Sequence, residues 1–186
     1  MKMLTRAIIA GALAFSALPT VALAQAAPPI VVVDMGRIAA ESAASKSAEP
    51  QLKAKFESVQ ARAKTLGDQF RGEYESLQKA QPSMAKEAFQ AKAKELQQRQ
   101  VTAENEVRGK EQDYARSVQY VRQQILEAVN PIITAVMREK GASLALDRDV
   151  TLATAQSLDV TNEVMTRLNS ALPRVNVNPP AAPAQK

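Results

Sequence analysis

Asp147-Arg148-Asp149 sets two carboxylates one residue apart, the opening spacing of a calcium loop. Neither a Gly at the sixth position nor a Glu at the twelfth follows, so the triplet reads as a tight turn. Histidine, the usual general base and the commonest metal ligand near neutral pH, is absent. Cysteine and tryptophan are absent too, which removes disulfides and thiolate metal sites. No glycine-rich phosphate loop is visible. Carboxylates or a Ser-Lys pair remain as catalytic material, but no spacing joins them. The chain is expected to be no enzyme and to use no cofactor and no metal.

Binding chemistry is better represented. Phe70, Tyr74, Leu77, Met84 and Phe89 put large apolar groups along the middle of the chain. They either fill a seam between helices or touch an apolar client. Lys86, Lys92, Lys94 and Arg99 put cations beside them. These either form a solvated face or attract anionic partners such as lipopolysaccharide or an anionic membrane surface. The formal net charge is +5, with 24 basic and 19 acidic residues. Signs alternate in "AKAKELQQRQ" and "ENEVRGKEQD", the pattern of i,i+4 pairs on a helix face. Nucleic-acid binders instead cluster their cations beside aromatic or base-reading residues, so nucleic acid is not an expected partner.

The elements that must position these side chains begin after a removable leader. Lys2 and Arg6 precede residues 7–18, which are apolar except for Ser16, and Pro19 breaks the run. Ala22-Leu23-Ala24 presents small residues at the two positions a signal peptidase reads. The run is shorter than the roughly 20 residues of a membrane span. Residues 1–24 therefore read as a signal peptide cleaved after Ala24, and residues 25–29 as a disordered leader.

Leu52, Phe56, Val59, Ala63, Leu66, Phe70, Tyr74 and Leu77 recur at intervals of three or four, a heptad stripe with one irregular step. A thinner stripe runs through Phe89, Ala93, Leu96, Gln100, Ala103, Val107, Lys110 and Tyr114, then strengthens through Val118, Val121, Ile125 and Ala128. Between them "KAQPSMAKE" supplies a polar turn, with Pro82 suited to open a helix. Two long helices joined this way fold back as an antiparallel pair, so residues 51–116 are expected to form a protruding hairpin arm. Residues 52–79 alone would extend about 42 Å. Gly67, Gly72 and Gly109 each lower helix stability by roughly 1 kcal/mol relative to Ala, and the arm is either a tolerated weak coiled coil or one built to bend.

Asn130-Pro131 should kink or restart the second helix, and Lys140-Gly141 should end it. "ASLALDRDVTLATA" reads as two short strands at about 142–146 and 150–154, joined at the Asp-Arg-Asp turn. Asp159 or Thr161 can cap a last helix carrying Val164, Met165, Leu168 and Leu172, closed by Pro173. The tail, residues 173–186, is Pro- and Ala-rich and is expected to be disordered.

The β-branched run "VVVDMGRI" puts a strand at about 30–34 with no partner nearby in sequence. Its partners must be the strands beyond residue 142. The fold class is therefore mainly α with a small β body, residues 30–50 plus 117–172, into which the hairpin is inserted. Three short strands leave open edges and little core, so joining strands between copies is expected, giving an obligate homo-oligomer.

The ordered combination of "VVVDMGRI", two long charged helices, "NPIITAVMREKGASLALDRDVTL" and "DVTNEVMTRL", over roughly residues 30–172 of an exported chain, resembles the Skp/OmpH family. The resemblance implies a periplasmic chaperone of unfolded outer-membrane proteins, a homotrimer whose strands form a central barrel while three arms enclose a cavity. Residues 143–155 depart from the family pattern in lacking aromatics. The implied activity is ATP-independent holding of unfolded β-barrels, whose alternating apolar residues and free backbone groups would otherwise pair in water. Two other classes remain: a coiled-coil adaptor of the cell envelope, which calls for a denser seam, and a polyanion binder, whose affinity should fall steeply with salt.

Overall fold

β1 (Ile30–Val33) is built from β-branched residues that suit extended backbone, and Val31, Val32 and Val33 are all buried. The computed structural model describes residues 30–180. The expected signal peptide at 1–24, the leader at 25–29 and residues 181–186 lie outside it. Asp34 ends β1 and starts α1 (Met35–Glu41): its carboxylate accepts from the Arg37 amide at 2.7 Å. Ser42 then closes α1 and caps α2 (Ala43–Ala80), its hydroxyl accepting from the Ser45 amide. Residues Gln81–Ser83 make a single 3₁₀ turn with Pro82 at its start, and α3 (Lys86–Glu139) returns. With 38 and 54 residues, α2 and α3 extend about 57 Å and about 81 Å.

Gly141, at φ 64°, ends α3, and the Ala142 amide donates back to the Met137 carbonyl. β2 (Leu144–Asp147) lies parallel to β1, in the register Ile30 to Leu144 through Val33 to Asp147. The strand at residue 30 thus does find its partner across the whole hairpin. On β1's other side the Val160 amide donates to the Val32 carbonyl at 2.9 Å. The Asp159 carboxylate accepts from the Thr161 amide to start α4 (Thr161–Ala171), which ends before Pro173.

Three expectations are corrected here. Residues 150–154 form no strand. The Asp147 carboxylate accepts from the amides of Met35 and Asp149, turning the chain into a 3₁₀ turn at Arg148–Val150. The Thr151 hydroxyl then bonds to the Arg148 carbonyl and to Thr154, where a hairpin would need ladder pairing. Secondly, Pro131 does not restart α3. It removes one rung of the ladder, but fully buried Val129 and Val136 on either side hold the helix to the core. Thirdly, residues 173–178 of the tail are packed on the body: Val177 is 2% exposed and joins the main hydrophobic cluster.

That cluster sits at one end of the hairpin. Ile38, Val129, Val136, Val164 and Leu168 are fully buried where α1, α3, α4 and the two strands meet. Arg167 ties α4 to the end of α3, donating to both Glu139 and Glu163. The architecture is mainly helical, with a long antiparallel hairpin inserted between the two strands of a small β body.

Candidate functional site

The arm is held together by a few widely spaced contacts. At its root the Phe56 and Tyr114 rings stand 5.5 Å apart, tilted by 42°. Further out, the Arg62 guanidinium donates to both carboxylate oxygens of Glu106, at 2.8 and 2.9 Å. Nearer the tip Arg99 makes the same fork to Glu73, at 2.7 and 2.9 Å, and lies 5.7 Å from the centre of the Phe70 ring. As one number of each pair rises the other falls, which is the antiparallel register. The donated hydrogen bonds hold the Glu73 and Glu106 carboxyls below their ordinary range and raise the two arginines.

Between these clamps the seam is thin. From residue 53 to residue 116, Leu66, Leu96 and Ala103 are the buried residues. Alanine at positions 63, 93 and 103 is too short to span the helices. An open groove of about 850 Å³ results, lined by Ala63, Leu66, Phe70, Tyr74, Leu96, Ala103 and Val107, with Arg71, Glu75, Glu104, Arg108 and Glu111 at its polar margin. Gly67 widens it: a β-carbon there would meet nothing within 4 Å. Tyr74 is 57% exposed at this groove. A smaller hollow of about 590 Å³ lies toward the tip, lined in part by Leu77, Met84, Lys92 and Arg99.

The structure therefore gathers Phe70 with Tyr74 in one hollow, and Leu77 with Met84 in the next. Phe89 is half-buried and lines neither of them. Among the four candidate cations, Arg99 is engaged within the arm by Glu73. Lys86, Lys92 and Lys94 are exposed and form no ion pair among the described residues. Sequence reasoning missed both guanidinium clamps. Their members are 44 and 26 residues apart, so only the hairpin register, which is centred on residues 84–86, could have matched them.

At the root a second cleft of about 850 Å³ is lined by Met35, Leu52, Phe56, Tyr114, Val118 and Leu126, among others. Leu144 of β2 and, after that strand, Val150 and Leu152 are exposed. No group of acidic residues among those described could hold a metal ion. No described helix is long and apolar enough to cross a membrane.

The family model for OmpH-like outer membrane proteins matches residues 29–168. No curated protein matches the chain. Among solved structures, a candidate outer membrane chaperone (OmpH-like) from Caulobacter crescentus CB15 is similar, with a TM-score of 0.74 and 18% identity. The match covers 86% of this chain and 95% of that one. At that identity the likeness is one of fold.

Proposed function

This chain belongs to the OmpH-like (Skp) family of outer membrane protein chaperones, a family of non-enzymatic proteins, and from that premise we propose that it is an ATP-independent holdase for unfolded outer-membrane β-barrels. The observation that carries the proposal is the open seam. An arm meant only as a spacer would close its apolar stripe; this one leaves Phe70 and Tyr74 lining a groove beside solvent. Weak, repeated apolar contacts of this kind suit a client that must later be released. Leu77 and Met84 in the next hollow extend the same surface, and half-buried Phe89 in the first turn of α3 lies outside both hollows.

The family is periplasmic, and on this proposal residues 1–24 direct export and are removed after Ala24. Three copies share a β core in the proposal, and the arms enclose the client. Support comes from the sheet, which has two strands among the described residues, and from Leu144 of β2 with Val150 and Leu152 after it, exposed by 47, 75 and 108%. Sedimentation of the processed chain should give a trimer. A folded single copy at micromolar concentration overturns that assembly. In the proposal Lys86, Lys92 and Lys94, exposed and in no ion pair among the described residues, attract lipopolysaccharide or an anionic membrane surface.

Diluting urea-denatured outer-membrane protein with and without this chain, at low and high salt, tests the function by light scattering. Suppressed aggregation at both salt levels is expected. Suppression that vanishes at high salt would indicate a polyanion binder. No suppression at either would leave an envelope adaptor.

A further inference from the structure

After α4 the chain turns back and crosses both arm helices where they leave the body. The Val175 amide donates to the Ser47 hydroxyl of α2 at 3.3 Å. The Asn176 amide donates to Gln124 Oε1 of α3 at 3.1 Å, and the Asn176 carbonyl accepts from Gln124 Nε2 at 2.8 Å. Gln124 Nε2 also donates to the Tyr120 carbonyl at 3.1 Å, which orients the carboxamide from its own helix. One side chain thus bonds both backbone groups of one residue, as a neighbouring strand would. The side chains alternate: Val175 is half-buried, Val177 is buried, and Asn176 and Asn178 face water. The Asn178 amide donates to the Asn176 side chain at 2.9 Å, turning the chain.

Nothing in this recognition reads side-chain identity beyond a small apolar residue at alternate positions. The backbone of any extended residue would satisfy Gln124 and Ser47. An unfolded membrane β-strand presents that pattern, apolar and polar in alternation with free amides and carbonyls. We propose that Ser47, Gln124 and the seat of Val177 form a subsite for an extended client strand, filled in cis by the chain's own tail. The inference rests on the holdase function above. The tail is held by side-chain bonds and one buried valine, not by a strand ladder, whereas α4 next to it buries Val164 and Leu168 completely. A tethered occupant has a high effective concentration, so a short free peptide cannot displace it. A long unfolded chain that also engages the arm grooves can.

The test uses the full chain and a fluorescein-labelled peptide of residues 173–178, followed by anisotropy. Wild type, its seat filled, should bind the peptide weakly. Val177→Asp puts a charge where an apolar group belongs and should release the tail, raising affinity at least about tenfold. Asn176→Pro, which removes the amide donated to Gln124 without touching the core, should do the same. Adding Gln124→Ala to either variant should reverse the gain, and unfolded outer-membrane barrel protein should displace the bound peptide. Equal binding by wild type and both released variants, or peptide that survives excess barrel protein, overturns the proposal. Suppression of aggregation by wild type in parallel samples reads the holdase function separately. Its loss overturns that function and, with it, the client assigned to this seat.

Discussion

The same two helices pass through two packing regimes. In the body, α3 meets α1, α4 and the sheet, and Ile38, Val129, Val136, Val164 and Leu168 reach 0% exposure. In the arm α2 and α3 meet only each other, and their best buried residues, Leu66, Leu96 and Ala103, stay at 8 or 9%. A pair of helices has one shared face, so each side chain is covered from one direction only. Aliphatic packing closes the body. Paired Arg-Glu forks and a single aromatic contact hold the arm at intervals, with open grooves between them. The difference teaches that the two regions can be loosened independently.

The largest effect is expected in the body. Leu168→Ala should cost about 2–5 kcal/mol, read as a lower denaturation midpoint for the whole molecule. Leu66→Ala, the matching truncation in the arm, should cost about 1–2 kcal/mol because the site already borders an open groove. Hydrogen exchange should then quicken in α2 and α3 while the body stays protected. Equal losses at both sites would erase the distinction. Gly67→Ala works in the opposite direction: its β-carbon meets nothing, and the arm should gain about 1 kcal/mol of helix stability. If bending matters for capture, the stiffened arm should hold denatured barrel protein less well. Unchanged capture, or exchange already slow around residues 67–72 in wild type, would make those glycines merely tolerated.

The smallest effect concerns the clamps. The Glu73 and Glu106 carboxyls are held below their ordinary value of 4.5 by the arginines that donate to them. Groups depressed on folding contribute stability above that value and lose it as pH falls through the folded range. Glu139 and Asp159 of the body are depressed as well, but the aliphatic core around them does not titrate, so arm exchange should quicken below about pH 4 more than body exchange does. Arg99→Lys, which cannot make the fork, should flatten that difference at the tip. Exposure of both partners keeps this effect modest.

Much of this was legible in residue order. The three- and four-residue spacing from Leu52 to Leu77 located one arm helix. Pro82 marked the tip, Gly141 ended α3, and the lone valine run at residue 31 required a partner far along the chain. Asp159 or Thr161 is the cap expected from the sequence; Val160 holds that position, and the Asp159 carboxylate accepts from the Thr161 amide from the residue before it. The absence of a strand at residues 150–154 was not legible. "DVTLATA" has strand propensity, but Asp147 turns its carboxylate onto two amides, one of them 112 residues away. "RVNVN" looked like part of a disordered tail because its prolines and alanines carry no period. Its order comes from Ser47 and Gln124, which are remote in sequence. Within the candidate site, Phe70 and Tyr74 were readable as stripe residues, whereas the capture of Arg99 by Glu73 depended on register.

Local patterning determined where most helices and the first strand lie, because helical period, capping residues and glycine stops act within a few residues of themselves. Tertiary structure decided what those elements left uncovered. The groove beside Tyr74, the clamps and the seat of Val177 all depend on distances between residues that approach only after the chain has doubled back. Such distances are set by the volume of side chains on the opposite helix, which no stretch of neighbouring residues encodes.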